Sequence, residues 1–167
     1  MQTSTRQQFI ITQQMLPGLI NGLLNGGIAW AQHRDAATLG LWDQGAYATD
    51  LLATGFLLPA ISWLIVRPLL RRQATTGKAP VLSGLSRPWL LRWMRPSLWG
   101  GTAAIGLMGL GLLGGGMVLA LQLLGSPAFA GTDYAVFKGA YGALLTLVLQ
   151  PVMVFAALAP HQSNRTV

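Results

Sequence analysis

The sequence predicts an all-α integral membrane protein: a bundle of four transmembrane helices with N and C termini cytoplasmic, forming one domain over residues 1–167. Three observations predict it. First, 52% of the residues are hydrophobic and only 9% are charged, where a soluble domain carries about 25% charged residues. So few charges cannot cover a soluble surface of this size, and lipid must solvate much of it. Second, four apolar segments approach the roughly 20 residues that a helix needs to cross a hydrocarbon core of about 30 Å. Third, the basic residues are gathered in one linker.

The segments are residues 9–30, 47–69, 98–124 and 134–159. The first is the most polar, interrupted by Gln13, Gln14, Pro17, Asn21 and Asn25. Between the second and third lie Arg67, Arg71, Arg72, Lys78, Arg87, Arg92 and Arg95, with no acid among them. The excess of Lys and Arg places this loop, about 70–97, in the cytoplasm. Four spans then put both termini there, with Arg6 and Arg165. The opposite side keeps Arg34, Lys138 and all four acids: Asp35, Asp43, Asp50 and Asp133. The net charge of +7 is thereby explained as topology, and nucleic acid is not an expected partner. A second reading of the N-terminus stays open. Arg6, an apolar run and Ala29-Trp30-Ala31 fit a signal peptide, whose cleavage would leave three spans.

The first span carries Gly18-x-x-x-Gly22-x-x-x-Gly26 with Asn21 and Asn25 on the same side. Small residues let helix backbones approach closely in lipid, and amides hydrogen-bond across the contact. This face is expected to touch another helix. Ala104, Gly111, Gly115 and Gln122 share one face of the third span at 100° per residue, and offer a matching surface. The fourth adds Ala135, Gly139 and Ala143.

Counting turns from each span end, Asn25, Asp50, Gln122 and Lys138 fall at a similar depth near the outer surface. Asp50 and Lys138 are the opposite charges inside the spans, and an unpaired charge in a bilayer costs several kcal/mol. They are expected to pair, with Asn25 or Gln122 hydrogen-bonded to them and Thr49 and Tyr141 nearby. The cluster of Asn21, Asn25, Asp50, Gln122 and Lys138 is either structural or a transport site.

Ser86 to Pro96 has helix punctuation at both ends. Arg87, Trp89, Arg92, Trp93 and Arg95 there read as a short interfacial helix, with aromatics at headgroup level and basic groups on anionic lipid. A docking patch for an acidic partner is the other reading.

No enzyme is expected. Cysteine is absent, which excludes disulfides, thiolate metal sites and cysteine nucleophiles. His33 and His161 are predicted on opposite sides of the membrane, so no metal site and no cofactor is expected. G-x-S-x-G and H-E-x-x-H do not occur. The stretches Asp50-Leu-Leu-Ala-Thr-Gly-Phe-Leu-Leu58, Arg67-Pro-Leu-Leu-Arg-Arg72 and Val136-Phe-Lys-Gly-Ala-Tyr-Gly142 resemble those of small four-span inner-membrane proteins of bacteria. That resemblance implies a fold and no activity.

The expected function is that of a non-enzymatic protein of the bacterial inner membrane acting through helix contacts, as an accessory or scaffold subunit of a larger membrane complex or as a homo-oligomer. The alternative is a small oligomeric transporter or channel for an ion or small solute, built on Asp50 and Lys138. A pigment- or lipid-binding protein is a third class.

Overall fold

In the computed structural model the described residues are 2–43, 46–77 and 97–158. They form four helices: α1 (Gln2–His33), α2 (Tyr47–Thr75), α3 (Leu98–Leu123) and α4 (Gly131–Leu158). Among the described residues there is no strand, only an isolated bridge between Leu39 and Phe129. The expected interfacial helix, with Arg87, Trp89, Arg92, Trp93 and Arg95, lies outside the described residues.

Each boundary has a local cause. Ser97 caps α3, its hydroxyl accepting from the Gly100 amide at 3.0 Å, which satisfies one of the amides that a helix start leaves unpaired. α2 runs past residue 69, the expected end of its span. It stops at Gly77, whose φ of +71° is the left-handed conformation that closes helices and suits glycine. Residues 70–75 therefore belong to a helix, not to a loop. Pro17, Pro59, Pro68 and Pro151 all lie within helices, as membrane helices tolerate.

Three helices, α2, α3 and α4, are long and apolar enough to cross a membrane; α1 is not among them. Hydropathy thus supports three of the four expected spans. α1 is long enough, but its glutamines and its two asparagines dilute its leucines.

The helices do not close into a square bundle. α1 packs along α4, α4 along α2, and α2 along α3. They stand as a row, with α1 and α3 at its edges. Leu16, Leu19, Leu23 and Leu24 of α1 are 56–68% exposed, as are Leu107, Leu112 and Leu119 of α3 at 58–68%.

One end of the row is stitched by its loops. Leu39 and Phe129 exchange two backbone hydrogen bonds, at 2.8 and 3.1 Å. The carbonyls of Gly40 and Leu41 accept from the first amides of α2, Tyr47 and Ala48. The Tyr47 hydroxyl donates to the Pro127 carbonyl at 2.6 Å. Leu39, Leu41, Tyr47, Phe129 and Tyr134 pack beneath these loops, and His33, the last residue of α1, meets Tyr134 edge-on at 5.6 Å.

α3 is not uniform. Gly109–Gly115 forms a π turn, with α-helix on either side. Its buried positions run Gly101, Ile105, Gly106, Gly109 and then Gly114, Val118, Leu121. The step from Gly109 to Gly114 is five residues, as the i→i+5 bonding of a π turn implies.

Candidate functional site

The glycine ladder of α1 meets α4. A methyl group at Gly22 would lie 3.1 Å from the Gly139 carbonyl and 3.2 Å from the Ala143 methyl. At Gly26 it would lie 3.1 Å from the Ala135 carbonyl, and at Gly18 it would lie 3.3 Å from Leu147. Gly18, Gly22, Gly26 and Gly139 thus bring two antiparallel backbones together, and the ladder is consumed inside the chain. Its partner is α4, not the third helix. The amides lie along the same seam. Asn21 Nδ2 donates to Thr146 Oγ1 at 2.8 Å, and Thr146 donates to the Gly142 carbonyl at 2.9 Å. Asn25 Nδ2 turns back to its own helix, to the Asn21 carbonyl at 2.8 Å, and packs against Gly142.

α3 uses other glycines than the expected ones. Gly111 is exposed with no atom near its Cα face, and Gly115 meets only its own helix. The residues against α2 are Gly101, Gly106, Gly109 and Gly114, which face Trp63, Phe56, Pro59 and Leu52 with Gly55. A wheel drawn at 100° per residue fails here because the π turn shifts the phase halfway along the helix.

Asp50 and Lys138 form an ion pair, with both carboxylate oxygens accepting from Lys138 Nζ. The Lys138 side chain is 4% exposed and that of Asp50 29%. The third member is Tyr134, whose hydroxyl donates to Asp50 Oδ2 at 2.5 Å. Neither expected helper is present. Asn25 is bound to α1 and Gln122 is exposed. Thr49 is exposed too, while Tyr141 donates to the Leu51 carbonyl at 3.4 Å. Tyr134 was legible in principle, since it stands one helical turn before Lys138 and so on the same face. Asp50 also sits in the first turn of α2, where the helix field favours a negative charge. A cation, a phenol and a helix start therefore surround the carboxylate, and one edge of it stays open.

The far half of the row holds polar groups that sequence reading passed over, Gln150 and the Trp63 N–H, and one, Arg67, that it assigned to the basic linker but that lies buried within α2. Gln150 is 1% exposed, and neither its amide nitrogen nor Trp63 Nε1 has a hydrogen-bond partner. Arg67 is 7% exposed, with its guanidinium 5.7 Å from the centre of the Trp63 ring. Among the described residues no cluster of His, Asp or Glu could hold a metal ion. A shallow depression of about 350 Å³ opens on the stitched loops, lined by residues including Thr38, Trp42, Asp43 and Ser126.

Three helices of spanning length and apolarity put the chain, by length and composition, in the class of multi-pass helical membrane proteins. No family model matches it, nor does any curated protein or solved structure.

Proposed function

We propose that this is a non-enzymatic, four-span protein of the bacterial inner membrane that acts through helix contacts, as an accessory or scaffold subunit or as a homo-oligomer. One observation carries the reading. The outward side of α3 presents Gly111 and Gly116 with no atom within 4 Å of a methyl placed there, together with exposed Gln122. Small residues and an amide are what a partner helix uses in lipid. The ladder of α1 is spent inside the chain, so the interface moves to the opposite edge of the row.

The fourth span is α1. Its two asparagines lower its hydropathy, yet both are engaged along the α4 seam or by its own backbone, and its leucines face outward. A helix of 32 residues is about 48 Å long at 1.5 Å per residue, ample for a bilayer. The basic linker then lies in the cytoplasm with both termini. The chain lacks cysteine, so single cysteines can report topology. Thr38→Cys is expected to react with an impermeant maleimide on intact spheroplasts. Thr3→Cys, Thr75→Cys and Ser163→Cys are expected to react only after permeabilisation. Labelling of Thr3→Cys from outside would remove the four-span arrangement.

The runner-up is a small transporter or channel using Asp50, Lys138, Asn21 and Asn25, favoured by the open edge of the Asp50 carboxylate. Native mass spectrometry in lipid nanodiscs and an ion- or proton-flux assay in liposomes separate the two. The contact reading expects a defined oligomer that Gln122→Leu or Gly111→Leu weakens about tenfold, and no flux above empty liposomes. Flux that Asp50→Asn abolishes would put transport in its place.

A further inference from the structure

We infer that the inner end of the α2–α3 pair is a binding site for a phosphate group, built from Trp63, Arg67 and the first turn of α3. Three features converge there. The first is the start of α3. Ser97 satisfies the Gly100 amide, which leaves the amides of Leu98 and Trp99 without an intrahelical acceptor, pointing out of a helix end that attracts negative charge. The second is the Trp63 indole. It is 2% exposed, and its Nε1–H, a donor with no acceptor function, has no partner. A methyl group at Gly101 would lie 2.6 Å from Trp63 Nε1. Because a helical Cβ tilts toward the N-terminus, that indole nitrogen lies at the opening turn of α3. The third is charge. Arg67 stacks over the same indole at 5.7 Å, and Arg71 follows one turn on, exposed.

Donors and positive charge gather at this end, and the described residues hold no acid near it, since the four Asp of the chain are at positions 35, 43, 50 and 133. A buried donor left without an acceptor is costly, and an anionic oxygen makes a stronger partner for it than a neutral one. The depth suits a phosphate. Arg67 follows Asp50 by 17 residues on one helix, about 26 Å along its axis, so the two charges sit at opposite boundaries of a hydrocarbon core of about 30 Å. A phosphodiester headgroup and a free phosphate share the chemistry, and the site uses nothing from the proposed oligomer interface.

The test uses the full chain, delipidated in detergent, with lipid binding followed by native mass spectrometry. Phosphatidylglycerol is expected to bind tightly, and monogalactosyldiacylglycerol, which has no phosphate, at least tenfold more weakly. Trp63→Phe keeps the ring and removes the N–H, and is expected to weaken phosphatidylglycerol about tenfold. Arg71→Gln, at an exposed position where folding is not at stake, is expected to weaken it about threefold. Inorganic phosphate identifies the source: displacement of the lipid at millimolar concentration marks a solution phosphate site, and no displacement marks a lipid site. Equal binding of the two lipids, or unchanged phosphatidylglycerol affinity in both variants, overturns the inference.

Discussion

Asp50→Asn is expected to destabilise the protein more than Lys138→Met, although both break the same ion pair. The cause lies in what each change strands. Asp50→Asn leaves the Lys138 ammonium buried, with its side chain 4% exposed and its counter-charge gone. Removing one member of a buried pair costs about 3 to 5 kcal/mol, and this variant belongs at the upper end. Lys138→Met leaves a carboxylate that is 29% exposed, still holds the Tyr134 hydroxyl, and still sits in the first turn of α2. About 2 kcal/mol is expected, below the buried-pair range because water reaches one edge of the charge. The double variant Asp50→Asn/Lys138→Met is expected within about 1 kcal/mol of the parent, since a buried pair exchanged for neutral groups is often nearly neutral. Unfolding in mixed micelles, arranged as a double-mutant cycle, measures all three. Strictly additive losses would show that the pair does not couple α2 to α4. A larger loss for Lys138→Met would show that the carboxylate is the stranded charge.

Gly109→Ala is expected to separate α2 from α3. Its methyl group would overlap the Gly55 carbonyl oxygen and lie 2.7 Å from Pro59 Cγ. No rotamer relieves a clash with backbone and a proline ring, so the helices must part. The expected loss is about 3 kcal/mol or more, at the upper end of overpacking effects. Gly111→Ala, two residues away on the same π turn, meets no atom within 4 Å and is expected within about 0.5 kcal/mol of the parent, because replacing an exposed helical glycine usually stabilises slightly. The same unfolding assay compares the two. A larger loss for Gly111→Ala than for Gly109→Ala would mean that α3 packs on α2 through the face read at 100° per residue, without the π turn.

That second comparison marks the limit of what the sequence carries. Its glycines announced close packing, but the choice between Gly109 and Gly111 depends on a five-residue step that no regular wheel contains. The ladder of α1 was legible as an interface because Gly18, Gly22 and Gly26 keep helical spacing with Asn21 and Asn25 beside them. Its partner was not, because Ala135-x-x-x-Gly139-x-x-x-Ala143 on α4 and the glycines of α3 present similar small surfaces. The Asp50–Lys138 pair was legible from scarcity: a buried charge in lipid needs its opposite, and the outer halves of the spans offered one of each, Arg67 lying at the far end of the second. Tyr134, one turn before Lys138, was legible in principle; the retreat of Asn25 and Gln122 was not, because depth along a helix says nothing of which way a side chain turns.

By itself the sequence determined the helical class, the apolar lengths and the gathering of positive charge in one linker. These follow from composition and from the 1.5 Å rise of a helix, which act on each segment alone. The tertiary structure decided the order of helices in the row, the glycines in contact, the third member of the ion pair and the placement of Trp63 at the start of α3. Those depend on how helices rotate about their axes. In lipid the hydrophobic effect does not drive helix against helix, so rotation is set by close contacts and a few hydrogen bonds, and these exist only once two helices meet.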